Sequence, residues 1–211
     1  MTPFSNLSES QVDLLKEVGN IGSGNAATSL SMLIGDKIDM KIPTVRIVGY
    51  DEMMDLVGGP DALITAIFLR IEGDTPGNMF FVLSPEETVN FIEQMTGQED
   101  FSVGQPPYDE MALSALEEAG NILAGSYLSA LSDFLKLSVQ PSVPVLTIDM
   151  AAAILTEGLI EISQFGDYAI IIETVIDNHG KKQKQIKGHF FLLPDPDSFE
   201  KIFNKLGVAD Q

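Results

Sequence analysis

The sequence predicts an α+β fold built from two copies of one helix–strand–hairpin–helix unit. Two observations lead to this prediction. Residues 13–43 align without gaps on residues 114–144, at a constant offset of 101. Helical spacing, strand alternation and turn residues also follow one another in the same order in both halves. We therefore expect pseudo-two-fold symmetry, with two long helices packed beside a shared, mostly antiparallel sheet.

The first unit is predicted over about residues 8–97. Leu14, Leu15 and Val18 begin an apolar set at helical spacing, which Gly35 could end. Alternation after Ile38 indicates a strand, and Pro43 marks a sheet edge or a strand end. In order, we expect a helix at 8–34, a strand at 38–50, a short helical or looped piece at 51–59, a hairpin of strands 62–72 and 78–83, and a helix from 85 to 97.

The second unit is predicted over about residues 109–207, after a polar linker at 98–108 that contains glycine and two prolines. Both units together would form one domain over residues 1–211. In order, we expect a helix at 109–136, a proline-containing strand at 137–148, an alanine-rich helix near 150–156, strands near 157–163, at 168–177 and at 185–193, and a closing helix that ends at Gly207.

The composition excludes several classes of function. There are 12 Lys and Arg against 31 Asp and Glu, a formal charge of −19, and no Cys. Thiolate catalysis, disulfides and cysteine zinc sites are excluded. Only Arg46 and Arg70 accompany the lysines, so a nucleic-acid partner is not expected. The first ten residues lack a signal-peptide pattern and the apolar runs are short, so we expect a soluble cytoplasmic protein without membrane insertion.

The most informative residues are those that the two long helices share. Residues three and four apart lie on one helix face. The first helix therefore carries a stripe of Asp13, Glu17, Asn20 and Gly24 beside its apolar residues Leu14, Val18 and Ile21. The second helix carries Ser114, Glu118, Asn121 and Gly125 at the same spacing, and Pro43 and Pro144 follow each stripe by the same number of residues. We call these the first stripe and the second stripe.

The glycines of the first long helix have two readings. A glycine inside a helix costs about 1 kcal/mol relative to Ala. Gly19, Gly22 and Gly24 could allow another protein to approach closely, or they could allow the two long helices to pack together. At the second stripe, Leu123 and Tyr127 are expected to make the site bulkier.

A stripe of Glu and Asn limits the chemistry. An Asn amide neither titrates nor attacks, but it donates and accepts hydrogen bonds and can orient a water molecule. Such positioning is useful in phosphoryl transfer, where the protein does little covalent work. The rest of the chain shows no phosphate-binding loop and no arginine clamp. His179 and His189 lack metal-site spacing and are expected to be surface residues.

The pattern Asp/Ser-x3-Glu-x2-Asn-x22-Pro, present twice, closely resembles the CheC family of chemotaxis phosphatases. This resemblance covers nearly the whole chain. It implies hydrolysis of the aspartyl phosphate of the response regulator CheY, a protein-phosphatase activity. Asn20 and Asn121 would orient the attacking water, and Glu17 and Glu118 would pair with a regulator Lys. Asp13, Pro43, Ser114 and Pro144 would support the motif. No cofactor of its own is implied, because the divalent metal would belong to the regulator.

The same resemblance implies a second partner, the receptor deamidase CheD, which the family binds and regulates. Its docking surface would lie near the short helical segment after the second motif, at Asp149, Met150, Ala151 and Ala152. An alternative function is a non-catalytic adaptor that sequesters the regulator or the deamidase through the same faces. A metallohydrolase, with a metal bound to this chain alone, is a third possibility.

Overall fold

The computed structural model describes residues 9–160, 168–179 and 185–205. Apart from the segment near residues 157–163, the helices and strands follow one another in the predicted order, and the two long helices have the same length, 26 residues. The helices are α1 Glu9–Ile34, α2 Tyr50–Leu56, α3 Pro85–Thr96, α4 Glu110–Leu135, α5 Ala151–Ile160 and α6 Pro196–Lys205. The strands are β1 Ile38–Gly49, β2 Leu63–Gly73, β3 Gly77–Leu83, β4 Val139–Pro141, β5 Val145–Met150, β6 Tyr168–Asn178 and β7 Gln185–Pro194.

The strands form one antiparallel sheet in the order β1-β6-β7-β3-β2-β4, and β5 also pairs with β2. The first strand of each unit pairs with the second strand of the other unit, since β1 lies beside β6 while β4 and β5 lie beside β2. The two hairpins meet in the centre, where β3 pairs with β7. This arrangement confirms the predicted duplicated α+β fold with a shared sheet.

The sheet is covered on both faces. Helices α1 and α4 pack side by side, and with α3 they bury one face around residues such as Leu116, Phe81 and Phe190. The short helices α2 and α5 contribute to a second core on the other face, around Met53 and Phe80. Because the long helices bury only one side each, their outer faces remain available for the stripes.

The two motif prolines lie at opposite edges of the sheet. At one edge, the register of β1 against β6 shifts between Lys41 and Thr44, the interval that contains Pro43. At the other edge, Pro144 stands between β4 and β5. Proline lacks an N–H and is tolerated where a ladder is interrupted or at an edge strand. The edge placement that the sequence predicts for Pro43 is therefore confirmed.

One predicted strand is wrong in its described part. Strands were expected near residues 157–163, but α5 continues to Ile160. A helix that starts from three alanines propagates at little cost, and here it extends past the predicted end of the alanine-rich helix. Residues 161–163, the hairpin tip at 180–184 and Gly207 lie outside the described residues.

Within the three described ranges, no helix combines the length and the apolar character that a membrane crossing requires.

Candidate functional site

Both stripes lie on the surface of the long helices. Asp13, Glu17, Asn20 and Gly24 are all exposed on α1. On α4, Ser114, Glu118 and Asn121 are exposed, and Gly125 is half-buried. The spacing of three and four residues therefore presents an acidic group, an amide and a glycine in a row twice, as the sequence predicts.

The stripes point outward because the opposite sides of both helices carry the core residues. On α1, Leu15 and Val18 are 4% and 5% exposed. On α4, Leu116 and Leu123 are fully buried. One apolar residue departs from the expectation: Ile21 is 41% exposed and follows Asn20 directly. It lies near the margin of the stripe rather than in the core, so it adds apolar surface beside the amide.

The polar side chains of the stripes are not held by the protein itself. Within the part of the chain that the structure describes, Glu17, Asn20, Glu118 and Asn121 make no side-chain hydrogen bond or ion pair. The hydroxyl of Ser23 donates a hydrogen bond to the backbone carbonyl of Asn20. This bond does not involve the Asn20 side chain. Four exposed groups without internal partners are free to bond to another molecule.

The glycines divide into two classes, and the reading that they let the two long helices pack together is confirmed at Gly22. A Cβ on Gly22 would lie 2.7 Å from Cδ1 of Tyr127, so this glycine allows α1 and α4 to pack closely. A Cβ on Gly120 would lie 2.6 Å from two side-chain carbons of Ile67 in the sheet. Gly24 and Gly125 differ, because nothing lies within 4 Å of a Cβ placed on either one. Internal packing therefore does not account for the two stripe glycines.

The two stripes face away from the contact between the long helices. Gly22 follows Asn20 by two residues, which places it roughly 200° around the helix. Tyr127 follows Asn121 by six residues, which places it roughly 240° around its helix. Leu123 and Tyr127 are both buried, so the expectation that they make the second site bulkier is wrong. The Tyr127 ring instead packs on Phe190, and its hydroxyl lies 3.2 Å from the Thr174 hydroxyl.

Both arginines are already used inside the molecule. Arg46 forms ion pairs with Glu52 and Glu173. Arg70 binds Asp195 with both terminal nitrogens and also donates to Asn78 at 3.0 Å. These contacts connect strands and helix starts rather than face either stripe. The chain therefore offers no arginine clamp for a phosphate.

The histidines differ from each other. His179 is exposed, and its Nε2 atom lies 2.7 Å from Asp39, in agreement with a surface role. His189 is half-buried between strands, burial lowers its pKa, and its Nδ1 atom is buried without a hydrogen-bonding partner among the described residues. The expectation of a surface residue is wrong for His189. Across those residues, no group of three or more His, Cys, Asp or Glu side chains could hold a metal ion.

A groove of about 690 Å³ continues the first stripe toward the C-terminal end of α1. It is lined by Gly24, Ser31 and Met32 on the helix and by Lys37 and Lys41 near the edge strand β1. Met32 is 79% exposed. A partner that reaches Asn20 could therefore extend over Gly24 into this groove.

The segment expected to bind a deamidase has mixed accessibility. Asp149 and Met150 are exposed, and Met150 has 52% of its surface accessible. Ala151 is fully buried, and its N–H donates to the carbonyl of Ala62. Ala152 is half-buried. Of the four predicted residues, Asp149 and Met150 are exposed, Ala152 is partly accessible and Ala151 is not accessible.

Comparisons with known proteins agree with the duplicated motif. The model of the CheC-like family matches residues 11–47 and 111–148, which contain both stripes and both prolines. The CheY-P phosphatase CheC of Bacillus subtilis (strain 168) is 46% identical over 209 residues, which cover 99% of this chain and 100% of that protein. The flagellar motor switch phosphatase FliY of the same strain is 30% identical over 138 residues, 65% of this chain and 35% of that protein.

Solved structures share the fold at lower identity. The crystal structure of Thermotoga maritima FliY has a TM-score of 0.74 and 22% identity, covering 95% of this chain and 98% of that one. The FliM middle domain from H. pylori has a TM-score of 0.65 and 11% identity, covering 94% and 99%. Since the curated relative with 46% identity matches along its whole length and the family model matches both copies of the motif, the chain belongs to the CheC-like family.

Proposed function

We propose that this chain is a phosphatase that hydrolyses the aspartyl phosphate of the phosphorylated response regulator CheY. The full-length relative in Bacillus subtilis is named for CheY-P phosphatase activity. The observation that carries the proposal is the presence of two exposed stripes, each with a free Glu, a free Asn and an open glycine at one spacing. Each stripe would form one active site together with the regulator.

The amides of Asn20 and Asn121 would orient the attacking water. In the reaction, a water oxygen attacks the phosphorus and the bond from phosphorus to the aspartyl oxygen breaks, giving inorganic phosphate and the free carboxylate. A carboxylate is a good leaving group because its conjugate acid has a pKa of about 3.9. No general acid is needed, so an amide that fixes the water in line with this bond is sufficient.

Glu17 and Glu118 would fix the position of the amide on the regulator. Each Glu precedes its Asn by three residues, so both side chains leave the same face of the helix. A Glu that pairs with a regulator Lys would set the register of docking, because charged pairs at interfaces contribute more to register and specificity than to affinity. Gly24 and Gly125 would let the regulator surface approach the helix closely.

The remaining groups would come from the substrate protein. Arg46 and Arg70 are engaged in internal ion pairs, so charge neutralisation at the phosphate would rest on the regulator's own lysine and divalent metal. A site completed by its substrate also gives specificity, because neither protein alone assembles the full set of groups.

The decisive measurement is the decay of phosphorylated CheY with the wild type and with the double variant Asn20→Ala/Asn121→Ala. We expect the double variant to lose about 10²-fold or more of the acceleration, as is typical when a positioning group is removed. Each single variant keeps the activity of its other site. Asn25→Ala is the matched control, since Asn25 is an exposed Asn on the same helix but outside the stripe.

Binding is measured separately, with CheY held in its phosphorylated form by a non-hydrolysable analogue. Normal binding with lost acceleration supports catalysis by the two amides. Parallel loss of binding and acceleration favours the adaptor function instead. Unchanged decay in the double variant would exclude Asn20 and Asn121 as catalytic residues.

The second partner, the receptor deamidase CheD, is proposed to dock on the exposed part of the segment between β5 and α5. Asp149 and Met150 would make the contact, because Ala151 is buried. Met150→Glu should abolish co-purification with CheD, whereas Met111→Glu, at an exposed methionine on α4, should not. Equal binding by both variants would place the deamidase elsewhere.

A further inference from the structure

The open groove of about 690 Å³ beside the first stripe lies between the C-terminal part of α1 and the start of β1. On the helix, it is lined by Gly24, Ala27, Thr28, Ser31 and Met32. Gly24 belongs both to the first stripe and to the groove. A protein that docks over Asn20 and Gly24 therefore reaches the edge of the groove.

The helical side of the groove is made of small side chains whose hydroxyl protons are already used. The Thr28 hydroxyl donates to the carbonyl of Gly24 at 2.9 Å, and the Ser31 hydroxyl donates to the carbonyl of Ala27 at 2.6 Å. The Ser31 oxygen also accepts from the N–H of Ile38 at 2.9 Å, which ties the start of β1 to the helix. Because both hydroxyls bond to the protein's own backbone, this side presents mainly carbon atoms to a partner.

The strand side of the groove carries charges that are paired with one another. Lys37 Nζ lies 3.5 Å from Asp39, whose carboxylate also lies 2.7 Å from Nε2 of His179. Lys41 Nζ lies 3.9 Å from Asp177. Both lysines are exposed, so their charged ends lie at the rim of the groove. A carbon-lined floor with a polar rim is the usual anatomy of a protein–protein contact, and the paired charges leave the apolar groups to decide what binds.

Two methionines supply the apolar groups of the groove. Met32 is 79% exposed, more than Ile21 or Leu33 on the same helix. Met40 is half-buried on the strand side, next to the buried Ile38. A methionine side chain is flexible and adapts to the surface that covers it. Met32 is therefore suited to pack against an apolar side chain of a partner.

The second half of the molecule does not repeat this apolar surface. At the offset of 101 residues, Met32 corresponds to Asp133 and Met40 corresponds to Pro141. Asp133 is exposed, as Met32 is. The Glu and Asn of the stripe are repeated, but the surface beside them changes from a methionine to a carboxylate. The two stripes therefore differ in what a docked protein would meet next to the catalytic amide.

The size of a docking surface decides that the regulator extends beyond the stripe. Specific complexes bury about 800 Å² on each partner, over about 20–30 residues. The first stripe supplies four residues. The described helix continues for about 6 Å from Asp13 toward its start, but for about 15 Å from Gly24 to its end at Ile34. The groove lies along this longer part, so it offers the larger adjoining surface on α1.

We propose that the phosphorylated regulator occupies this groove when it docks on the first stripe, and that Met32 makes the first stripe bind it more tightly than the second. This inference rests on the phosphatase function proposed above. An apolar side chain of the regulator packs on Met32 and on the aliphatic stems of the two lysines. At the second stripe, the same regulator surface covers the Asp133 carboxylate, which loses hydration and weakens binding.

The chain has no Cys, so a single introduced thiol can report contact without any catalysis. Thr28→Cys places the thiol in the groove, one helical turn before Met32, and Ser129→Cys places it at the corresponding exposed position before Asp133. Alkylation of this chain by N-ethylmaleimide is followed by mass spectrometry, while CheY held in its phosphorylated form by a non-hydrolysable analogue is titrated. We expect Thr28→Cys to be half-protected at a regulator concentration at least about tenfold lower than Ser129→Cys, a difference of about 1.4 kcal/mol in binding.

Exchange of the two residues tests the role of Met32 directly. Met32→Asp should raise the concentration that half-protects Thr28→Cys about tenfold, and Asp133→Met should lower the concentration that half-protects Ser129→Cys. The second result is a gain, so a folding defect cannot produce it. Met111→Asp adds the same charge at another exposed methionine and should leave the protection of Thr28→Cys unchanged. An equal loss with Met111→Asp would mean that general repulsion causes the effect, which would overturn the role of Met32.

Kinetics provide a second readout in the Asn121→Ala background, where the first stripe alone acts. Met32→Asp should raise KM for phosphorylated CheY about tenfold and leave kcat unchanged, because the Asn20 amide is untouched. A fall in kcat at constant KM would contradict a docking role. In the Asn20→Ala background, Asp133→Met should lower KM at the second stripe.

The outcomes separate this proposal from the proposed function. Selective protection of Thr28→Cys, combined with decay that does not depend on the two amides, would keep the docking surface and reject the catalytic residues. Decay that depends on the amides, combined with no protection of Thr28→Cys under saturating regulator, would keep the phosphatase and overturn the docking surface. Equal protection of Thr28→Cys and Ser129→Cys at every concentration would overturn the preference for the first stripe.

Discussion

The replacement of Gly24 by alanine is expected to separate stability from function. A methyl group on Gly24 meets no atom within 4 Å, so it causes no clash inside the protein. Gly24 lies in the interior of the 26-residue helix α1, where Ala is favoured over Gly by about 1 kcal/mol. We therefore expect Gly24→Ala to raise the free energy of unfolding by about 1 kcal/mol and Tm by about 2–4 °C. The same change should lower phosphatase activity, because the methyl group stands where the regulator must approach.

The activity is measured in the Asn121→Ala background, where the first stripe alone acts. A shift of about 1 Å in docking can cost about 10²-fold, so kcat/KM should fall by up to that factor. Gly19→Ala is the control, since its Cβ would lie 3.5 Å from Ile42, an ordinary contact on the buried side of the helix. It should raise stability similarly and leave kcat/KM unchanged. A stabilised Gly24→Ala variant with full activity would refute the role of this glycine in close approach.

Three further predictions concern packing and titration. Gly120→Ala should lower the free energy of unfolding by about 1–3 kcal/mol in urea denaturation, because its Cβ would lie 2.6 Å from Ile67; unchanged stability would contradict the packing described for α4. Tyr127→Phe should cost about 1 kcal/mol in the same assay, because the buried hydroxyl of Thr174 loses its partner. The pKa of His189 is lowered by burial, so the unfolded chain binds more protons and stability should fall as the pH drops below 6.5. His189→Phe should make this part of the pH dependence flatter, and an unchanged slope would rule out His189 as its source.

Much of the fold could be predicted because the same pattern occurs twice. Glu17 and Asn20 could be identified as candidate site residues only because Glu118 and Asn121 repeat their spacing. An exposed Glu and Asn on a single helix are usually just solvated. Short sequence patterns were also sufficient for features that depend only on neighbouring residues, such as the start of a helix. The helix predicted to begin at residue 85 does begin there, and Ser84 caps it by accepting a hydrogen bond from the N–H of Glu87 at 3.2 Å.

The wrong predictions concern residues whose environment is set by distant parts of the chain. Leu123 and Tyr127 were placed near the second stripe from their position in the sequence, but α4 turns both toward the core. His189 was expected at the surface, because a single His in a strand gives no sign of what covers it. It lines a pocket formed by the end of α2, by β2 and β3, by the start of α3 and by β7, and no local pattern links these segments.

The position of Asn20 on a long helix suits the catalytic role that we propose for its amide. Its side chain is exposed and has no partner in the described parts of the protein, yet its backbone is held by a helix whose other side is buried through Leu15 and Val18. The helix therefore fixes the backbone that carries the amide, and no internal contact has to be broken on docking. Only the side-chain torsions of Asn20 remain to be ordered in the complex, which lowers the entropy cost of positioning the water. A flexible loop that carried the same Asn would lose much of this advantage, which is why the spacing of the stripe and the packing of the helix act together.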